Sequence, residues 1–169
     1  VTPQHGAVVL ERGRDDIAID LLIGSEGTLG VVTGVRLQLR PLPLSRVVRA
    51  AAFSDGPSAL NAVVKIIEEG INPAKLEFLD DVTIESLERS RAWGFPRETG
   101  GLLLVELDGE ESEVRASARH LDAVLRSDGA GLEGVDAARA ERWWDARRGI
   151  TASLAQIRPA KIGEDICVP

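Results

Sequence analysis

The sequence predicts an α+β fold in which helices pack on one face of a mainly antiparallel, ferredoxin-like sheet. Three observations point there. Beyond residue 45, short strand-like runs alternate with amphipathic helical stretches as far as residue 155. The strands are few, and none of them is followed by the glycine-rich turn of a doubly wound nucleotide-binding sheet. The segment "RPLPLS", with Pro41 and Pro43, interrupts the chain just before this alternation and reads as a linker, which divides the protein into residues 1–43 and 44–169.

Ahead of the linker, residues 7–10 (AVVL) and 17–23 (IAIDLLI) are short apolar runs that read as strands. Val35, Leu37 and Leu39 alternate with Arg36, Gln38 and Arg40, the pattern of a half-buried strand. Past the linker, "RVVRAAAF" (46–53) is a strand, and Ser54 or Asp55 can cap the helix after it. Leu60, Val63, Val64 and Ile67 give that helix an apolar stripe, and Gly70 ends it. "AKLEFLD" (74–80) is a strand with Leu76 and Phe78 on one face and Lys75, Glu77 and Leu79 on the other. A second helix spans Val82 to Trp93 and stops at "GFP". "GLLLVELDG" (101–109) is almost continuously apolar, which places it at the centre of the sheet. A third helix buries Val114, Ala118, Leu121 and Leu125; "GLEGV" (131–135) is a weak strand; a fourth helix runs from about Asp136 to Ala155.

Composition narrows the function classes. Apolar residues at 44% with 28% charged residues are enough for a globular core. A net charge of −7 argues against a nucleic-acid partner, since phosphate binding needs clustered cations, and Arg36, Arg40, Arg46 and Arg49 read as solvated strand faces. The single Cys167, in the apolar run "ICVP", excludes a disulfide framework and reads as an inert buried thiol. His5 and His120 are far apart, and no spacing of His, Cys and carboxylates resembles a metal site. No apolar run approaches the ~20 residues of a membrane span. With aromatics at 4%, the adjacent Trp143 and Trp144 stand out, and one core and one half-exposed position are expected for them. The chain starts at Val1 and stops at Pro169 behind a strand-like "DICVP", so a piece of a longer protein is expected.

The stretch "LLIGSEGTLGVVTGVRLQLRPLP" (21–43) carries glycines three apart at Gly24, Gly27 and Gly30. It is neither a Rossmann fingerprint nor a phosphate-binding P-loop, because no helix follows and no Gly-Lys-Ser/Thr is present. Taken as chemistry, it is either a tight turn or a loop whose missing Cβ atoms let a flat ring system or a phosphate chain lie against the backbone.

This stretch, in the order G-S-E-G-T-L-G, V-V-T, alternating strand and P-x-P, resembles the end of the flavin-binding domain in the FAD-linked oxidase family of the vanillyl-alcohol oxidase type. The resemblance continues through "PAKLEFLDD", "LLLVELDGEESEV" and the W-x-x-R and closing D-x-x-x-P of "WWDARRGITASLAQIRPAKIGEDICVP", and is nearest to the group of glycolate oxidase D subunits, D-lactate dehydrogenases and D-2-hydroxyglutarate dehydrogenases. It implies that residues 1–43 end an FAD-binding domain and residues 44–169 begin a substrate or cap domain. It further implies an FAD-dependent oxidation of a 2-hydroxy acid such as glycolate or D-lactate to the 2-keto acid, by hydride transfer to flavin. Gly24, Ser25, Glu26, Gly27, Thr28, Gly30, Val31 and Val32 would line the FAD, largely through backbone. Arg147, Thr151 and Lys161 would hold the substrate, with Glu77 near it and Asp165 as the closing Asp.

Arg147 suits that role chemically, because a guanidinium fork binds a carboxylate through two parallel hydrogen bonds. On one continuous helix it would share a face with Trp144 and Thr151. The resemblance places the catalytic base and the family's metal ligands outside this chain. It also implies a cytoplasmic protein, free or peripheral at the inner membrane face, acting as a homodimer or with partner subunits of an oxidase complex. Two other readings stand beside it: a transferase like alkyl-glycerone-phosphate synthase, against which Glu77 counts because that enzyme carries an Arg there, and a non-catalytic ferredoxin-like binding module.

Overall fold

A computed structural model describes residues 6–96, 99–158 and 160. The chain divides into two compact units, residues 1–41 and 42–169.

In the first unit the regular element is a short helix, α1 (Asp16–Leu22). This corrects the strand expected over 17–23. Asp15 accepts a hydrogen bond from the backbone N–H of Glu11 at 2.9 Å, and Arg12 reaches both Asp16 (3.5 Å) and Asp20 (2.7 Å), which stand one turn apart. Charges spaced by four along the chain favour helix over the two-residue period that the isoleucines suggest. Residues 7–10 and 35–40 form no strand either, and Leu37 and Leu39 are 73% and 86% exposed. An alternating segment needs a neighbouring ladder to become a strand, and the described residues of this unit provide none.

The second unit is built from β1 (Ser45–Phe53), α2 (Gly56–Glu68), β2 (Lys75–Asp80), α3 (Asp81–Ser90), β3 (Gly101–Gly109), α4 (Glu111–Ser127), β4 (Gly131–Val135), α5 (Ala137–Arg148) and α6 (Ile150–Ile157). The sheet runs β2-β3-β1-β4, and every pairing is antiparallel. The expected α+β class and the antiparallel sheet are therefore both present, with β3 inside the sheet as its apolar run requires. The starts of the helices are set locally. Asp55, Asp80 and Asp136 each accept a hydrogen bond from the backbone N–H three residues on, at 2.8, 2.8 and 2.9 Å, which satisfies a donor the first turn leaves open.

Helices cover both faces of the sheet, not one. On the first face, α2 and α4 pack on Ala51, Phe53, Leu103, Val105 and Leu107. On the second, α3 and α5 pack on Ala50, Leu79, Leu102 and Leu104, with Ile150 of α6 at the margin. Trp143 and Trp144 are both buried in this second layer, whereas one was expected half-exposed. Trp143 stacks on Phe95 at 4.9 Å between centroids. To bring Phe95 there, α3 stops at Ser90, short of the expected Trp93; the chain turns through Gly94 at φ +81°, and the backbone N–H of Phe95 donates to Glu88 at 2.9 Å.

α2 turns a different side to the core from the one its large residues suggest. Ala59, Ala62 and Ile66 are fully buried, while Leu60, Val64 and Ile67 are half or more exposed. Small residues on the buried side let the helix lie close to the sheet. Ala62→Leu is accordingly expected to lose about 1–3 kcal/mol by overpacking, and Leu60→Gln to stay within about 0.5 kcal/mol of the parent. Urea unfolding of the two variants measures both, and the reverse order would mean the helix is rotated.

Candidate functional site

The glycine-rich turn lies in the first unit, directly after α1. Gly24, Glu26 and Gly27 all take positive φ (77°, 48° and 82°), and Glu26 is alone among the described non-glycine residues in doing so. Thr28 donates from both its backbone N–H (2.9 Å) and its hydroxyl (2.7 Å) to the carbonyl of Ser25, which closes the turn. A Cβ at Gly24 or Gly27 would meet nothing within 4 Å. The two glycines therefore answer to backbone conformation, and the space beside them is open. Gly30 is buried, whereas Val31 and Val32 are exposed. Open backbone of this kind fits the close approach of a flat cofactor ring.

In the second unit the chemistry collects where α5 crosses the second face of the sheet. β2 offers Lys75 and Glu77 on that face, β3 offers Glu106 and β1 offers Arg46. Glu106 is the residue that sequence reasoning passed over. It sits opposite Lys75 and Val48 in the ladder and is 3% exposed. Lys75 Nζ meets its Oε1 at 2.8 Å and Arg46 stands 3.8 Å from Oε2. Oε2 has no hydrogen-bond partner among the described residues, nor has the buried indole nitrogen of Trp144. Lys75 also lies over the Trp144 ring at 4.9 Å, so one ammonium holds a strand carboxylate and an aromatic ring of α5 together. The available signal was an acid inside the apolar run of the central strand, two residues ahead of the exposed Asp108.

Arg46 continues outward to Glu141 of α5 at 2.7 Å. The hydrogen bond from Arg46, helped by its charge, holds the Glu141 carboxyl below the usual carboxylate range, and the same bond raises Arg46. Six residues further along the same helix, Arg147 Nε meets Glu77 Oε1 at 2.7 Å; the side chains are 50% and 29% exposed. Two residues singled out from sequence, Arg147 and Glu77, are thus brought into direct contact.

Thr151 is exposed and lies on α6, not on a continuation of α5. The expected single helix is interrupted at Gly149, whose N–H turns to the carbonyl of Ala146 at 2.9 Å. α6 is tied down by a buried hydroxyl pair, Ser86 with Ser153. Lys161, Asp165 and Cys167 lie outside the described residues. Among the described residues no group of three or more His, Cys, Asp or Glu could hold a metal ion, and no helix is long and apolar enough to cross a membrane.

An antiparallel sheet layered on both faces, with a cation–carboxylate cluster under α5, defines a class of domain. Residues 42–169 match the model of the C-terminal domain of FAD linked oxidases, and the chain belongs to that family. Among curated proteins it is 34% identical over 153 residues to the glycolate oxidase subunit GlcD of Bacillus subtilis (strain 168), covering 88% of this chain and 32% of that protein. It is also 34% identical to GlcD of Escherichia coli (strain K12), covering 88% and 30%, and 31% identical to a probable mitochondrial D-lactate dehydrogenase of Danio rerio, covering 89% and 31%. The chain thus spans about a third of the length of these relatives. Among solved structures, an alkyldihydroxyacetonephosphate synthase superposes with a TM-score of 0.67 at 20% identity over 93% of this chain and 32% of that one, a likeness of fold.

Removing Lys75 would leave Glu106 as a buried carboxylate with only the more distant Arg46. Lys75→Met is therefore expected to lose about 2–3 kcal/mol, somewhat under the ~3–5 kcal/mol of a fully broken buried pair. Lys75→Met/Glu106→Leu is expected to recover most of that loss. Equal losses in the single and double variants, read by chemical unfolding, would mean that Glu106 is not held by Lys75.

Proposed function

We propose that this chain forms the carboxylate-binding part of an FAD-dependent enzyme that oxidises a small 2-hydroxy acid, glycolate or D-lactate, to the 2-keto acid. One observation carries the reading: Arg147 is a half-exposed guanidinium fixed by Glu77 on the charged face of a domain whose relatives are named glycolate oxidase subunit and D-lactate dehydrogenase. A 2-hydroxy acid presents a carboxylate next to the carbon that is oxidised. A fixed guanidinium gives that carboxylate two parallel hydrogen bonds and so orients the α-carbon. Thr151 supplies a hydroxyl in the first turn of α6, and Lys161 a second cation.

The turn from Gly24 to Val32 would hold the FAD, its open backbone at Gly24 and Gly27 approaching the ring system while Ser25, Glu26 and Thr28 shape the turn. When bound, that flavin supplies the two-electron acceptor for the oxidation. We assign no proton-abstracting base to this chain. The division of labour that follows is the end of a flavin domain, residues 1–43, succeeded in the sequence by a substrate-positioning domain, residues 44–169. The reading extends to a cytoplasmic enzyme, free or peripheral at the inner membrane face, that works as a homodimer or with partner subunits.

A transferase resembling the alkyldihydroxyacetonephosphate synthase has the fold likeness in its favour. Bleaching of flavin absorbance separates the two. The whole protein that carries this chain is expected to be yellow and to lose its absorbance anaerobically on addition of glycolate or D-lactate. Absence of bleaching across D- and L-2-hydroxy acids would overturn the oxidation. Within that assay Arg147→Ala is expected to lower kcat/KM about 10- to 150-fold, from loss of a charge-assisted contact of about 1.5–3 kcal/mol. Most of the effect should fall on KM, since the carboxylate is charged in ground and transition states alike. Arg148, which pairs with Asp145 of its own helix, serves as the control: an effect of Arg148→Ala without one of Arg147→Ala would move the anchor by one residue.

A further inference from the structure

We propose that Glu77 is the resident counter-ion of Arg147: it fixes the guanidinium through Nε, confines an incoming carboxylate to the outer edge of the fork, and weakens the hold on that carboxylate. The inference rests on Arg147 being the carboxylate anchor.

The geometry is specific to this pair. Glu77 is on β2, in register with Leu104 of β3, so the sheet fixes its position. Its side chain is mostly shielded, at 29% exposure, whereas the Arg147 guanidinium is half exposed, and the 2.7 Å contact is to Nε. A guanidinium has two edges that can serve an acceptor pair, one including Nε and one made of the two terminal nitrogens. Glu77 occupies the first. A second carboxylate must therefore use the terminal edge, which sets the plane in which it binds. The neighbouring cations are engaged elsewhere: Lys75 with Glu106, Arg46 with Glu141, and Arg148 with Asp145.

Two carboxylates on one guanidinium repel each other across its width. In a half-exposed setting that repulsion weakens binding of the second on the order of ten-fold. Glu77 thereby keeps the site from saturating with any small carboxylate, substrate or product.

The test is a double-mutant cycle in the whole flavin-loaded protein. The probe is oxalate, which presents carboxylates but has no hydrogen to give up, and its Kd is measured by titration calorimetry. Glu77→Gln keeps an acceptor for Nε and removes the charge. It is expected to tighten oxalate about ten-fold, and the gain is expected to vanish in an Arg147→Ala background. Glu77→Ser, a smaller neutral replacement, is expected to shift Kd in the same direction should the Gln variant prove unstable by thermal melting. If Arg147→Ala weakens oxalate but the neutral Glu77 variants leave its Kd unchanged or raise it, the counter-ion role is overturned and the anchor stands. Unchanged oxalate binding in Arg147→Ala would overturn the anchor and this inference with it.

Discussion

Leu102 and Leu104 leave β3 toward one layer of helices, and Leu103, Val105 and Leu107 leave it toward the other. None of the five is more than 3% exposed. A strand buried on both faces cannot alternate polar with apolar residues, so its sequence becomes one continuous run. That constraint organises the unit. β3 takes β1 and β2 as antiparallel neighbours and supplies apolar surface to both layers at once. Truncating any of these leucines would remove about 2–5 kcal/mol, a large share of the stability of an ordinary domain.

Glu106 is the exception within that strand, and the charges around it follow from its burial. A carboxylate taken out of water needs cations within reach; Lys75 and Arg46 come from the strands on either side. Their outward ends then engage α5, Lys75 through the Trp144 ring and Arg46 through Glu141. The buried acid thus engages Arg46 and Lys75 on the same face of the sheet on which Glu77 meets Arg147. Arg147 stands one turn beyond Trp144 on a helix already fixed to the sheet, so its guanidinium is positioned by packing as well as by its own ion pair.

How much of this the sequence discloses differs by element. The strands of the second unit, the burial of Val114, Ala118, Leu121 and Leu125 and the central place of residues 101–109 follow directly from period and apolar content. The second helical layer was hidden. α5 buries Ala140, Trp143, Trp144 and Ala146 between Arg139, Glu141, Arg142 and Asp145, so its apolar positions trace no clean stripe. The face of α2 misled for the opposite reason: Leu60, Val64 and Ile67 make the louder pattern, while Ala59 and Ala62 carry little hydrophobic signal and yet fit closest to the sheet. In the first unit, Val35, Leu37 and Leu39 alternate as a strand would, but alternation states a capacity to pair and not a partner. Arg147 and Glu77 were each legible as candidates. Their contact was not, because it depends on how α5 crosses β2, which no local pattern encodes.

The pairing of charges on the second face bears on what the site can accept. Each of Arg46, Lys75, Arg147 and Arg148 has a carboxylate of its own chain within salt-bridge distance. A dianionic phosphate ester would need at least two cations drawn from those pairs, and each withdrawal would strand an acid, at greatest cost for the buried Glu106. A monocarboxylate needs one guanidinium edge and no such rearrangement. Arg147 can offer that edge while keeping its contact with Glu77, because the two acceptors approach different sides of the same planar group. On the proposed reading of Arg147 as the anchor, this face would suit a small monoanion better than a phosphate-bearing one, through residues spread over three strands and a helix rather than through any single side chain.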